Sequence, residues 1–169
     1  MHLHIESDVW IDQSPIEVFD FISEPENIPR YVSGIISAQK VSEGPMGVGA
    51  QATTTAMLLG RRSVTLQTYT RFDRGQMLIR ESTDGPIEYI LTDFLRLEGG
   101  GTRLRRVLVG DTRGFFADLA APLIRRNAQR GTDLALATLK DLMEHEVFTV
   151  YGLEAAGVDP VANHVAGLR

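Results

Sequence analysis

The sequence predicts an α+β fold in which one curved antiparallel sheet of seven strands packs against a long C-terminal helix. Residues 35–111 consist of short runs rich in β-branched and aromatic residues, separated by turns too short for parallel crossovers. In residues 115–147, apolar side chains instead recur at steps of three and four, which is the period of an amphipathic helix. So long an apolar stripe requires a large apolar partner, and the sheet supplies it.

The length and composition are those of one ordinary globular domain. The chain has 169 residues, with 43% hydrophobic and 23% charged, which suits a sizeable core and a solvated surface. No apolar run approaches the roughly 20 residues of a membrane-spanning helix, and residues 1–6 do not begin a secretory signal. The net charge of −5 argues against general nucleic-acid binding, and without cysteine there are no disulfides. We therefore expect a cytoplasmic protein with no nucleic-acid partner and no transmembrane segment.

The N-terminal region predicts one strand followed by two short helices. Apolar and polar residues alternate over residues 2–11, as in a strand with one buried face. Ser14, Pro15 and Glu17 then form a capping-box helix start, with the proline at the first helical position. Residues 23–26 repeat this signal, so we expect a second short helix that ends near Tyr31.

Six further strands are predicted before the long helix. They cover residues 35–41, 50–58, 62–72, 76–83, 87–97 and 103–111, with glycine-containing turns between them. In the long helix, the small residues Ala128, Gly131 and Ala135 lie on the apolar stripe, and we expect them to leave space between helix and sheet. After Val147, glycine and proline recur, so we expect a domain over residues 1–147 and an irregular tail over 148–169.

These features together resemble the polyketide cyclase/dehydrase and START-like lipid-transfer (SRPBCC) superfamily, which has the helix-grip fold. The matching segments are DQSPIEVFDFI at 12–22, PENIPRY at 25–31, GPMGVG at 44–49, GTR at 101–103 and LKDL at 139–142. The resemblance covers roughly residues 3–146 and implies a hydrophobic or amphipathic ligand between sheet and helix. Some members of the superfamily cyclise or dehydrate polyketides, but without a universal catalytic motif. The resemblance therefore assigns no catalytic residue, and no cofactor is expected.

Polar residues on otherwise apolar strand faces are the candidate ligand-binding residues. Asp93 and Tyr89 share a face with leucines in residues 87–97, Glu81 shares one with methionine and isoleucine, and Arg106 lies between two leucines. If these faces all point inward, the charged groups enter one interior, where they must pair or meet a ligand. Tyr69 is a further hydrogen-bonding candidate. The alternatives are a purely structural ion pair, or a bulge that turns Asp93 toward solvent.

The sequence contains no recognisable metal or nucleotide motif. His2 and His4 have a spacing that can hold a metal, but no third ligand accompanies them, so we interpret them as surface histidines. The glycines at 44–49 precede neither the lysine nor the helix that a phosphate loop requires.

Three functions remain open from the sequence. The first is binding of a hydrophobic small molecule, which we favour because no catalytic constellation stands out. The second is a cyclase or dehydratase that uses acid/base residues in the same cavity. The third is a protein-interaction module, suggested by the tail; a homodimer is also left open.

Overall fold

The order of elements in the computed structural model is the predicted one: strand, short helices, six strands, long helix. The structure describes residues 2–58, 61–84, 88–111 and 121–155. The strands are β1 (His2–Ile11), β2 (Ile35–Lys40), β3 (Gln51–Leu58), β4 (Arg61–Asp73), β5 (Met77–Asp84), β6 (Glu88–Glu98) and β7 (Gly101–Asp111). The helices are α1 (Pro15–Ser23), α2 (Ile28–Tyr31) and α3 (Ala121–Ala155), with a 3₁₀ turn at Pro25–Asn27 between the first two.

The strands of the described chain form one seven-stranded antiparallel sheet in the order β1-β7-β6-β5-β4-β3-β2. Strands β2 to β7 pair with their neighbours in sequence, whereas β1 pairs with β7 at the opposite edge from β2. The segment that joins β1 to β2 must therefore pass from one edge of the sheet to the other, and it carries α1 and α2. The predicted α+β architecture is confirmed.

The predicted start of α1 is confirmed at the level of individual hydrogen bonds. The Ser14 hydroxyl accepts from the Glu17 amide at 3.3 Å, and the Ser14 amide donates to the Glu17 carboxylate at 3.1 Å. Two otherwise unpaired amides are thereby satisfied where the chain leaves β1. The helix then buries Val18, Phe19 and Ile22.

The long helix differs from its prediction at the C-terminal end. Helix α3 has Pro122 in its first turn and continues to Ala155, so the prediction that the chain becomes irregular at 148 is wrong. The reason is that residues 148–155 contain only one weak helix breaker, Gly152, and a single glycine costs a helix about 1 kcal/mol. The predicted start near Phe115 lies outside the described residues, and so do residues 156–169 of the tail that suggested an interaction role. Within the described helices, no segment is both long and apolar enough to cross a bilayer.

The seam between α3 and the sheet is packed solidly toward one end. The fully buried side chains there come from α1, the sheet and the middle of α3: Ile11, Phe19, Tyr69, Leu78, Leu104, Leu136 and Leu139. The rings of Phe19 and Phe72 meet edge to face, with centroids 4.9 Å apart. This core holds the helix against the sheet, and the other end of the seam is free to remain open.

The turn between β6 and β7 packs closely against β1, and this close approach requires a glycine at position 101. The indole nitrogen of Trp10 donates to the carbonyl oxygen of Glu98 at 2.8 Å, which brings the indole ring over Gly101. A Cβ at Gly101 would lie 2.7 Å from the Trp10 ring and even closer to the carbonyl oxygen of Ile11. These contacts leave no room for a side chain.

We predict that Gly101→Ala lowers the free energy of unfolding by about 1–3 kcal/mol, because backbone and ring atoms must move apart. Urea denaturation measures the effect. Gly47→Ala is the matched control, since an added Cβ there meets nothing within 4 Å. Equal stability of the two variants would contradict this description of the β6–β7 turn.

Candidate functional site

A cavity of about 400 Å³ lies between the sheet and the first half of α3. Its wall is mostly apolar and is built by side chains such as Leu3, Leu91, Leu108, Ile124, Ala128 and Ala135. Four larger polar side chains also line it: Gln67, Arg80, Tyr89 and Arg106. The cavity thus combines a hydrophobic wall with a small number of hydrogen-bonding groups, which is typical of a small-molecule site.

Small residues on α3 keep this part of the seam open. Ala128, Gly131 and Ala135 all line the cavity, as the sequence analysis expects. At Gly131, which lines the cavity, an added Cβ would meet nothing within 4 Å, so the structure has room for a side chain there. On the opposite wall, Gly110 of β7 contributes no side chain either.

The charged groups of the site form one buried cluster of two arginines around an aspartate. The Asp93 carboxylate accepts from Arg106 Nε at 2.6 Å, from Arg106 Nη2 at 3.0 Å and from Arg80 Nη2 at 2.9 Å. The sheet register explains the arrangement, since Asp93 of β6 lies opposite Arg106 of β7, and Arg80 comes from β5 on the other side. Relative exposure is 0% for Asp93, 2% for Arg80 and 3% for Arg106.

All three groups of the cluster are charged at neutral pH. Burial raises the pKa of the Asp93 carboxyl, but Arg106 and Arg80 outweigh it and hold that pKa below its usual range. Burial lowers the pKa of both guanidinium groups, but the Asp93 carboxylate and the Tyr31 oxygen act against it, so the pKa values of Arg80 and Arg106 lie above their ordinary value. Two positive charges against one negative charge leave the cluster with a net charge of +1.

A neutral hydrogen-bonded pair lines the cavity as well. Gln67 Nε2 donates to the Tyr89 hydroxyl oxygen at 2.6 Å, while Gln67 Oε1 has no partner among the described residues. Burial raises the pKa of the Tyr89 phenol, although Arg80 and the Gln67 amide act in the opposite direction. The phenol therefore keeps its proton at neutral pH.

Of the five candidate residues, Tyr89 and Arg106 line the cavity, and Asp93 is buried against Arg106. Asp93 and Arg106 meet in the interior as an ion pair, with no bulge that turns Asp93 outward, and Tyr89 lines the cavity. Tyr69 is fully buried in the packed core, 6.3 Å from the Phe72 ring centroid, and does not line the cavity. Burial raises the pKa of Tyr69 to about 12, so its phenol is neutral.

The prediction that Glu81 enters the interior is wrong. The buried face of β5 is formed by Leu78, Arg80 and Ser82, which places Glu81 on the opposite face. There its carboxylate accepts from the Thr70 hydroxyl at 2.9 Å in an exposed position. Because Leu78 and Ile79 are adjacent and both apolar, the sequence of β5 is compatible with either face pointing inward.

Sequence reasoning missed Arg80 and Gln67 for related reasons. A lone arginine or glutamine in a strand ordinarily marks the solvent face. The available signal for Arg80 was its spacing of two from Leu78, combined with the need of Asp93 for a partner from a neighbouring strand.

We predict that Asp93→Asn lowers the free energy of unfolding by about 3–5 kcal/mol, because an amide leaves two buried guanidinium charges without a counter-charge. Urea denaturation at pH 7 measures this. Glu6→Gln is the control, since Glu6 also holds an arginine in a bidentate pair but in an exposed position, and it should change the stability little. Similar losses in both variants would contradict the assigned role of the buried cluster.

The stability difference between the wild type and Asp93→Asn should depend on pH. Because the pKa of Asp93 is lowered by folding, its stabilisation is complete above the unfolded-state pKa of about 4 and is lost as the pH falls through the folded-state pKa. The difference should therefore be constant near neutrality and shrink below about pH 4. A difference that grows on acidification would show that the pKa is raised instead.

The chain matches a known family over most of its length. Residues 2–144 match the family described as "Polyketide cyclase / dehydrase and lipid transport". No curated protein sequence matches the chain significantly.

Solved structures share the fold at low sequence identity. TTHA0849 from Thermus thermophilus is 20% identical with a TM-score of 0.74, covering 85% of this chain and 98% of that chain. A START superfamily protein from Mycobacterium smegmatis is 14% identical with a TM-score of 0.72, covering 86% and 99%. The Zhui aromatase/cyclase from a Streptomyces species is 13% identical with a TM-score of 0.72, covering 87% and 96%. The solved structures show the shared helix-grip fold, and the family match over residues 2–144 shows that the chain belongs to the polyketide cyclase/dehydrase and lipid-transport family.

Proposed function

We propose that the chain binds a hydrophobic or amphipathic small molecule in the cavity between the sheet and α3. The observation that carries the proposal is the apolar cavity of about 400 Å³ with its few convergent polar groups. Small-molecule sites usually measure about 300–1,000 Å³ and have this kind of lining. The family description, which names lipid transport, supports the same function.

The size of the cavity favours a ligand site over a packing defect. Protein interiors are packed like organic crystals, and their voids rarely exceed the volume of a water molecule. A space of about 400 Å³ is far larger than that, and it lies beside a core whose side chains are fully buried. The small residues Ala128, Gly131 and Ala135 of α3 thus leave a space beside the cavity wall. In the neighbouring core, the larger side chains of Leu136 and Leu139 fill the corresponding space.

An enzymatic role in cyclisation or dehydration is the second candidate, because the family description also names cyclases and dehydrases. Arg80, Arg106 and Tyr89 line the cavity as protonated groups, so they can donate hydrogen bonds to a carbonyl oxygen and stabilise negative charge on it. A proton abstraction additionally needs a base, and the Asp93 carboxylate is held by both arginines. The arrangement therefore supports recognition of an oxygen atom more directly than turnover.

We predict that the leucine side chain of Gly131→Leu fills part of the cavity. Binding of the neutral fluorescent probe phenylnaphthylamine should weaken about tenfold or more, and a tenfold loss of affinity corresponds to about 1.4 kcal/mol. The variant should remain folded, because leucine is a better helix former than glycine. Fluorescence titration gives the affinity, and circular dichroism checks the helix content.

Ala137→Leu is the matched control, since Ala137 lies on the exposed side of the same helix. It adds a leucine to α3 without entering the cavity and should bind the probe like the wild type. If both variants bind equally well, or if the wild type does not bind the probe, the proposed cavity site is wrong.

A further inference from the structure

The buried charges beside the cavity are not balanced within the described residues. Arg80 and Arg106 carry two positive charges, and among the described residues the only carboxylate that they contact is that of Asp93. The cluster is almost entirely shielded from solvent, with exposures of 0–3%. Within the part of the chain that the structure describes, one positive charge therefore remains without a counter-charge beside the cavity.

This excess charge cannot be removed by deprotonation. Arginine stays protonated in proteins, unlike a buried lysine, which loses its proton when it is desolvated. An uncompensated buried charge is costly, and proteins normally pair such a charge or bring it into contact with a ligand. The cluster is thus suited to an additional anion that arrives from the cavity side.

Arg80 is the better placed of the two arginines to receive that anion. Arg106 uses two nitrogens, Nε and Nη2, in its bidentate pair with Asp93, whereas Arg80 donates to Asp93 through Nη2 alone. Arg80 Nε is buried and has no hydrogen-bond partner among the described residues. Both arginines are among the residues that line the cavity, which brings a molecule inside it next to their side chains.

We propose that the ligand is an amphipathic monoanion, whose carboxylate pairs with Arg80 at the inner wall and whose apolar body lies between the sheet and α3. Planar guanidinium and carboxylate groups match in geometry, and charge-assisted hydrogen bonds are about twice as strong as neutral ones. Gln67 and Tyr89 add polar atoms to the same wall, and Leu91 and Leu108 provide apolar surface for the body. This inference rests on the proposed function, because it specifies the class of ligand for the same cavity.

Matched ligands test the inference: decanoate, decanol and methyl decanoate, titrated calorimetrically into the wild-type protein at pH 7.5. We expect decanoate to bind about tenfold or more tightly than decanol and methyl decanoate, as a charge-assisted pair in a buried site predicts. The three ligands share an unbranched ten-carbon skeleton, so a preference for decanoate over both neutral ligands reports mainly the charge of its carboxylate.

The Arg80→Met variant tests whether Arg80 is responsible for the preference for decanoate over decanol. Methionine has a similar volume, and the remaining Arg106–Asp93 pair is neutral, so the variant should fold. We expect the preference for decanoate over decanol to fall to about twofold or less, with decanol affinity unchanged, once the excess charge is gone. Arg96→Met, which removes an exposed arginine from β6, should retain the wild-type preference.

The outcomes separate the inference from the proposed function. If decanol binds and decanoate binds no better, the inference is overturned while the cavity function stands. If no ligand of the three binds the wild type, both are overturned. Retention of the preference in Arg80→Met, or thermal stabilisation by acetate or chloride as strong as by decanoate, would also overturn the inference. The comparison of decanoate with methyl decanoate in the wild type decides the question even if Arg80→Met does not fold.

Discussion

The interior of the sheet is organised around one interaction, the fully buried carboxylate of Asp93 paired with the guanidinium groups of Arg80 and Arg106. Asp93 ties three adjacent strands together, because its partners Arg80 and Arg106 come from the strands on either side. Such a cluster is seldom more stabilising than apolar side chains of the same volume would be. The position of the cluster is therefore informative, because both of its arginines line the cavity and are not confined to the packed core.

The helix-grip architecture allows a cavity and a packed core to lie side by side between α3 and the sheet. At the middle of α3, Leu136 and Leu139 are fully buried in the core cluster that also contains Phe19 of α1 and Leu78 and Leu104 of the sheet. Toward the N-terminal half, Ala128 and Gly131 leave the space between helix and sheet unfilled. The same helix thus contributes stability with one part and volume with the other, and the polar groups lie along the wall of the open part.

Most of the fold could be predicted from the sequence, because a sheet with one buried face imposes a period of two and a covering helix imposes a period of 3.6. The site was predicted less completely, since a pattern fixes the face of a strand only when apolar residues alternate cleanly. In β5 the adjacent residues Leu78 and Ile79 break this alternation. The sequence analysis therefore predicted that Glu81 points inward, whereas the structure places Arg80 there. The end of α3 was missed because helix breakers are sparse before Pro160, and sequence spacing alone does not mark where packing stops.

The most direct measurement is a crystal structure of the protein grown with decanoate. The carboxylate should lie within hydrogen-bond distance of Arg80, with the hydrocarbon chain along Leu91 and Leu108 and the Asp93 cluster unchanged. A cavity filled by ordered water alone, or a decanoate bound with its carboxylate toward solvent, would contradict the account.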